Sequence, residues 1–347
     1  MLGYKMGHNE LRKDYILDRW VVIATERGRR PSDFVGGERV KNRKGACPFC
    51  PGNEHMTPPA VLIYKESGGT IEKLKDNDFR HKNWLIRCFP NLFPAFSPPD
   101  ESGSIYHFSN FSEMMSAIGH HEVLVESPLH DDHPSDMEIQ QLAYVIEAYM
   151  DRLRELSSKQ YVKYVSIFRN HGAEAGASLS HAHSQIIATP LIPKIIKEEL
   201  EASRKFWNET GKCVFCEIIR KESESPRFIT ENSDFLAFAP WASINPMEFW
   251  LFPKRHEASI LEMTRNEIVS FASILKTCLK ALKNLLNDPP YNFGFHMSTD
   301  PETGMHYHWH LEVYPKLATW AGFEKSTGFY INTVSPEIAA DSLRRTI

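Results

Sequence analysis

Two stretches decide the reading of this chain: Ser180-His181-Ala182-His183-Ser184-Gln185-Ile186-Ile187 and, much later, His308-Trp309-His310-Leu311-Glu312-Val313-Tyr314. Both are rich in β-formers or alternate apolar with polar residues, so each is expected to be a strand. At a two-residue period His181, His183 and Gln185 share one face. Working outward from each stretch, the same order of signals appears, which points to an internal repeat. In the first half it runs Cys47-Pro48-Phe49-Cys50, a strand Glu122–Glu126, Ser127-Pro128-Leu129-His130, a helix over 135–157, a strand over 161–169 and then the histidine pair. In the second half it runs Cys213-Val214-Phe215-Cys216, a strand Glu248–Phe252, Pro253-Lys254-Arg255-His256, a helix over 264–286, a strand over 291–297 and the second pair. The lone histidine precedes the pair by 51 residues in one half (130 to 181) and by 52 in the other (256 to 308).

Both helices rest on one apolar stripe: Ile139, Leu142, Ala143, Ile146, Tyr149, Met150 and Leu153 in the first, Ile268, Phe271, Ile274, Leu275, Cys278, Leu282 and Leu285 in the second. Ser135 and Thr264 are the expected N-caps. A domain break is expected between Pro190 and Glu209, where Pro190-Leu191-Ile192-Pro193 ends a strand and a charged, helical stretch follows.

The chain has 347 residues, 42% of them hydrophobic and 24% charged, with a formal charge of -4. These values exclude a disordered or collagen-like chain. With no long basic block, neither nucleic acid nor a membrane surface is an expected partner. No run of 18 apolar residues occurs and the first ten residues lack the apolar core of a signal peptide, so a cytoplasmic location is expected.

Six cysteines are too few for a disulfide scaffold, and four fall in the two Cys-x-x-Cys pairs. Neither pair sits in a readable strand-to-helix turn of a βαβ unit, which disfavours a redox motif. Zinc takes four ligands, and Cys with His at separated positions gives tetrahedral sites. The expected sets are Cys47, Cys50, His130 and His181, and, by the repeat, Cys213, Cys216, His256 and His308, with His306 or His310 as alternatives to His308. Cys88 and Cys278 lie in apolar runs and are expected to be inert core thiols. His133 and His171 are read as solvated loop residues.

Before the first histidine pair lies Asn170-His171-Gly172-Ala173-Glu174-Ala175-Gly176-Ala177-Ser178-Leu179. Gly and Ala let backbone N–H groups approach an anion, which is what holding a phosphate requires. With His181 committed to metal, His183 is free to attack phosphorus, and Ser178 and Gln185 are placed to donate to phosphoryl oxygens.

His181-Ala-His183-Ser-Gln185 resembles the active-site motif of the histidine-triad superfamily, in the nucleotidyltransferase branch typified by the galactose-1-phosphate uridylyltransferase family. The likeness covers nearly the whole chain. It includes Leu11-Arg12-Lys13-Asp14, Arg19-Trp20-Val21-Val22-Ile23, Arg27-Gly28-Arg29-Arg30-Pro31, Cys47-Pro-Phe-Cys50, Phe89-Pro90-Asn91-Leu92-Phe93, Glu126-Ser-Pro128-Leu-His130 and Gly322-Phe323-Glu324. The resemblance implies an α+β fold of two tandem histidine-triad-like domains, each an antiparallel sheet packed with helices. Residues 1–195 would be catalytic and residues 196–347 a degenerate copy.

It also implies a double displacement in which His183 takes UMP from UDP-glucose and passes it to galactose 1-phosphate. By matched position, Phe89, Asn91, Phe93, Asn170, Gly176, Ser178 and Gln185 would contact the nucleotide, Arg27 and Arg30 the phosphates, and Glu324 the hexose. A homodimer is implied, as is iron as the alternative metal of the second site. Two departures stand out: Leu92 replaces the Asp of the uridylyltransferase motif, and Tyr330 stands where those enzymes carry a Gln. In both the chain is similar to plant-type ADP-glucose phosphorylases, which transfer AMP. The alternatives to uridylyl transfer are therefore that adenylyl chemistry, hydrolysis by a histidine-triad enzyme, or a non-catalytic zinc module.

Overall fold

The computed structural model describes residues 9–25, 34, 46–99, 106–108 and 112–347. Arg27 and Arg30, expected to hold phosphates, lie outside the described residues. In chain order the strands of the first half are β1 (Glu10–Lys13), β2 (Trp20–Ile23), β3 (Leu62–Ser67), β4 (Thr70–Leu74), β5 (Ile86–Pro90), β6 (Tyr106–Phe108), β7 (Glu113–Met115), β8 (His120–Val125), β9 (Tyr164–His171) and β10 (His183–Thr189), with helix α1 (Ile139–Ser157) between β8 and β9. Helices α2 (Lys194–Thr210) and α3 (Val214–Glu222) open the second half. There follow β11 (Phe228–Glu231), β12 (Phe235–Phe238), β13 (Phe249–Pro253), α4 (Arg265–Leu286), β14 (Tyr291–His296), β15 (His310–Pro315), α5 (Gly322–Thr327), β16 (Tyr330–Asn332) and α6 (Pro336–Arg344).

The two expected sheets meet edge to edge. They form one eleven-stranded sheet in the order β11-β12-β13-β15-β14-β9-β10-β8-β5-β3-β4. Every pairing in it is antiparallel, and the halves join at the β14–β9 seam, where Asn292 stands opposite Asn170 and Tyr291 opposite His171. The repeat shows in the order, because β13-β15-β14 mirrors β8-β10-β9 across the seam. Strands β1 and β2 leave the first half to pair with each other, and β2 pairs in parallel with β16. Arg12 bonds Glu337 and Tyr15 bonds Glu222, so these strands lie against the second half.

Helices α1 and α4 pack against each other and against one face of the sheet, burying the stripes read from sequence: Leu142, Ile146 and Leu153 meet Phe271, Leu275 and Leu282 in a single core that also takes Cys88 and Cys278. Thr264 caps α4 in a reciprocal capping box with Glu267, which stabilises a helix start by about 1 kcal/mol. Ser135 does not cap α1. The helix begins at Ile139 after Glu138, and Ser135 instead bonds Asp136. The cause is downstream packing: Met137 is fully buried, and Asp136 is drawn to Lys280 and Lys283 of α4, so residues 133–137 form a turn.

Candidate active site

His183 opens β10 and faces a cavity of about 330 Å³ lined by Asn170, Gly172, Ala177, Leu179 and His181 from the first half and by Lys283, Asp288 and Pro290 from the second. Its Nδ1–H donates to the His181 carbonyl at 2.7 Å. That leaves Nε2 with its lone pair. Burial holds the imidazole pKa below its ordinary value, so the ring is the neutral form a nucleophile needs. The Phe49 ring stands edge-on to it, 5.2 Å away, and also meets Phe89 at 5.6 Å. Phe49 lies inside Cys47-Pro-Phe-Cys50, so the cysteine loop delivers an aromatic wall as well as two thiols.

Among the described residues the expected first metal set comes together, with the ligand atoms of Cys47, Cys50, His130 and His181 within 4.8 Å of one another. Cys50 Sγ lies 3.3 Å from His130 Nδ1 and 3.5 Å from His181 Nδ1. A tetrahedral zinc with ordinary Zn–S and Zn–N lengths separates S from N by about 3.6 Å. His181 Nε2–H donates to the Ser127 carbonyl at 2.8 Å, which turns Nδ1 toward the thiols. The second set, Cys213, Cys216, His256 and His308, repeats this arrangement. Cys216 Sγ is 3.3 Å from His256 Nδ1, and His308 Nε2–H donates to the Pro253 carbonyl. The donor chemistry of both fits a closed zinc site.

A third group escaped the sequence reading: Glu199, His296, His310 and Glu312. His310 matches His183, down to its own Nδ1 contact with the His308 carbonyl, yet it is fully buried. Helix α2 covers it. From that helix Glu199 bonds His296 at 2.8 Å and accepts from Tyr307, while Glu312 contacts His310 at 3.3 Å and Phe252 stacks on the ring at 4.6 Å. Burial alone would lower the His296 pKa, but Glu199 and Glu312 raise it to about 9, so the group is a compensated charge cluster.

The remaining expected residues divide. Gln185 accepts at Oε1 from His121 Nε2–H (2.7 Å), and His121 Nδ1 accepts from the Ala95 N–H, so one unpredicted imidazole ties Gln185 to the Asn91–Ala95 loop. Asn91 caps that loop by accepting from the Phe93 N–H, and Phe93 is 84% exposed. Asn170 and Gly176 are adjacent, since a Cβ on Gly176 would lie 3.6 Å from Asn170 Nδ2. Ser178 is exposed on the same loop. Glu324 is not on the cavity wall; it accepts from the Ala321 N–H at the start of α5.

His133 and His171 are not solvated. Their rings meet at 4.7 Å, His171 stacks on Tyr291 and bonds Asp288 across the seam, and both line the cavity. Burial, with Arg169 and His171 beside it, pushes the His133 pKa down to about 2, so its Nδ1 accepts from Arg169 Nη2 at 2.9 Å. Arg169 is in turn held by Glu126 at 3.0 Å in a fully buried pair behind His183. No local pattern announced these contacts, because they depend on strands paired far apart in sequence.

A neutral histidine aimed into a glycine-lined cradle, backed by a metal-type cluster, is the equipment of an enzyme that moves a phosphoryl-linked group through its own imidazole. Residues 4–193 match the family described as galactose-1-phosphate uridyl transferase, N-terminal domain, and residues 131–347 match a domain of unknown function (DUF4921). The chain belongs to the galactose-1-phosphate uridylyltransferase family and is a hexose-1-phosphate nucleotidyltransferase. It is 35% identical to an ADP-glucose phosphorylase of Arabidopsis thaliana over 96% of this chain and 92% of that one. It is 31% identical to a galactose-1-phosphate uridylyltransferase of Thermotoga maritima over 97% and 98%. The crystal structure of an Arabidopsis thaliana ADP-glucose phosphorylase with bound ADP-glucose superposes with a TM-score of 0.80 at 32% identity, covering 97% of this chain and 99% of that one. The structure of a uridylyltransferase gives a TM-score of 0.73 at 27% identity, with 98% of each chain covered.

Proposed function

We propose that this enzyme transfers UMP from UDP-glucose to galactose 1-phosphate by double displacement at His183. The observation that carries the reading is the fixed tautomer: with Nδ1–H held by the His181 carbonyl, Nε2 is the attacking atom. Nε2 bonds to the α-phosphorus and the bond from that phosphorus to the bridging oxygen breaks, releasing glucose 1-phosphate. The incoming sugar phosphate then attacks the phosphoramidate, and the P–N bond breaks to restore His183. The leaving phosphate is stable as an anion, so positioning and charge stabilisation suffice. Gln185, Ser178 and Asn170 donate to the phosphoryl oxygens, Phe89, Asn91 and Phe93 take the nucleoside, and Arg27 and Arg30 the outer phosphates.

Zinc in the first Cys₂His₂ set would hold the loops that carry His130, His181 and Phe49, and zinc, or iron as the alternative, in the second would hold the loops that carry His256 and His308. A homodimer puts Glu324 to use: α5 has no buried residue, and Glu324 lies off this chain's own cavity wall, as a contact to a neighbouring copy's hexose would. Among the described residues no helix is long and apolar enough to cross a membrane, and we assign the enzyme to the cytoplasm.

Leu92 favours a second reading, AMP transfer from ADP-glucose with phosphate as acceptor. An apolar side chain, 64% exposed, stands where a ribose-binding carboxylate is expected, and the Arabidopsis phosphorylase is a close relative over the whole length. Intact-protein mass after mixing with UDP-glucose or ADP-glucose decides between them. A UMP adduct absent from His183→Ala supports the first reading and an AMP adduct alone moves the assignment to the second. No adduct with either removes the covalent mechanism.

A further inference from the structure

The second half carries no competent copy of the site, yet it touches the phosphate cradle at three points within five residues. Asp288 bonds His171 at 3.1 Å. Pro290 fills the space beside Gly172, where a Cβ would come within 2.9 Å of the Pro290 Cβ; Gly172 also sits at a left-handed φ of 82°. Asn292 makes the third contact, and it is the one aimed at a proposed substrate ligand.

Asn292 lies in β14 directly opposite Asn170 in β9. Its amide nitrogen donates both protons, one to Asn170 Oδ1 and one to the Ala175 carbonyl, each at 2.7 Å. Each bond fixes something different. An asparagine amide has a donor end and an acceptor end, and with Oδ1 engaged by Asn292 the end of Asn170 left for the cradle is NH₂. That nitrogen lies beside Gly176, on the loop that would hold the α-phosphoryl group. Turning the Asn170 amide over would bring NH₂ against NH₂ and leave a carbonyl oxygen facing an anionic substrate. The Ala175 bond anchors the short turn between Gly172 and Gly176, whose internal bonds use the carbonyls of Gly172 and Ala173 and not that of Ala175.

We propose that Asn292 is a positioning residue for nucleotidyl transfer: it sets which end of Asn170 faces the substrate and locks the cradle turn, and so makes the non-catalytic half part of the catalytic machinery. The inference rests on the reading that His183 is nucleotidylated. The repeat supports it by contrast. At the offset of 127 residues separating His183 from His310, the counterpart of Asn170 is Met297, and the residue whose counterpart is Asn292 is Val165. Both members of the polar pair are apolar in the copy whose histidine is plugged.

The test is a double-mutant cycle on the full-length enzyme: wild type, Asn170→Ala, Asn292→Ala and the double variant, with single-turnover nucleotidylation of His183 from UDP-glucose and from ADP-glucose, steady-state kcat and KM, and Tm. Each single variant is expected to slow nucleotidylation by on the order of tenfold to a hundredfold, with KM changed less than about threefold. Adding Asn292→Ala to Asn170→Ala is expected to cost clearly less than it does in the wild type, because the part of its role that acts through Asn170 is already lost and only the Ala175 anchor remains. Asn292→Asp keeps the shape but withholds both donors, so it should be as slow as Asn292→Ala or slower; it also stands in if the alanine variant does not fold. An Asn292 variant that reacts within about twofold of wild type, or penalties that multiply in the double variant, overturn the inference alone. A wild type that forms no adduct with either donor overturns the functional reading and the inference with it.

Discussion

One carbonyl decides which nitrogen of His183 is available. The His181 C=O takes Nδ1–H, and the same residue's ring is turned to the cysteines by Ser127, so a metal-type ligand and the proposed nucleophile are set by consecutive contacts on one strand entry. His121 does for Gln185 what His181 does for His183: because its Nδ1 accepts from the Ala95 N–H, its Nε2–H occupies Gln185 Oε1 and leaves the Gln185 NH₂ for a phosphoryl oxygen. His121→Ala should therefore lower kcat on the order of tenfold while leaving KM for the nucleotide sugar within about threefold, as initial-rate kinetics will show. Much of this site could be read from sequence. The cysteine pairs, His130, His181 and His183 follow from spacing repeated in two halves, and the cradle follows from its small residues. His121, Asp288 and Asn292 could not be read, since each reaches its partner only through strands paired far apart in sequence, Asp288 from the turn just before β14 and Asn292 across 122 residues to Asn170. His133, in a run of polar residues, and His171, beside Gly172, look solvated in sequence because the elements that cover them come from elsewhere in the chain.

At the scale of elements, the helices matched their stripes and failed only at one end. Thr264 and Ser135 both have a glutamate three residues on, but only Thr264 forms the capping box; Ser135 gives way to the pull of Asp136 toward α4. That pull has a pH signature. Burial would raise the Asp136 pKa, but Lys280 and Lys283 prevail and hold it well below its ordinary value. A carboxyl with a depressed folded pKa stabilises the fold above its unfolded value of about 4 and loses that contribution as pH falls toward the folded value. Wild-type Tm should therefore drop between about pH 5 and pH 3 by more than that of Asp136→Asn, followed by circular dichroism. An equal drop in both would remove the pair from the acid response. Helix α2 was expected as a charged connector, but its buried face, with Ile196, Glu199 and Ser203, makes it a cover over the second copy's histidine.

For the whole molecule, the two Cys₂His₂ sets are alike in donors and unlike in what they support. The first lies at the strand entry that carries His183; the second lies at the equivalent entry to His310, which is fully buried. Elemental analysis should find two metal ions per chain. Cys50→Ser should lose one and slow nucleotidylation at least tenfold, whereas Cys216→Ser should lose one, lower Tm, and leave the rate within about threefold. Equal rate losses in both would mean that the second site serves the chemistry directly. The β14–β9 seam gives the molecule a timetable as well as a shape. Asn170 and Asn292 are 122 residues apart, so at about 5–20 residues per second the ribosome delivers the cradle roughly ten seconds before its support. A nascent chain that has emerged only as far as α4 holds His183, the first cysteine pair and the glycine loop, but neither Pro290 against Gly172 nor Asn292 against Asn170. Full reactivity is therefore expected only once the second half closes on the seam, and a chain stalled before Asn292 emerges should carry a His183 slowed at least as much as in Asn292→Ala.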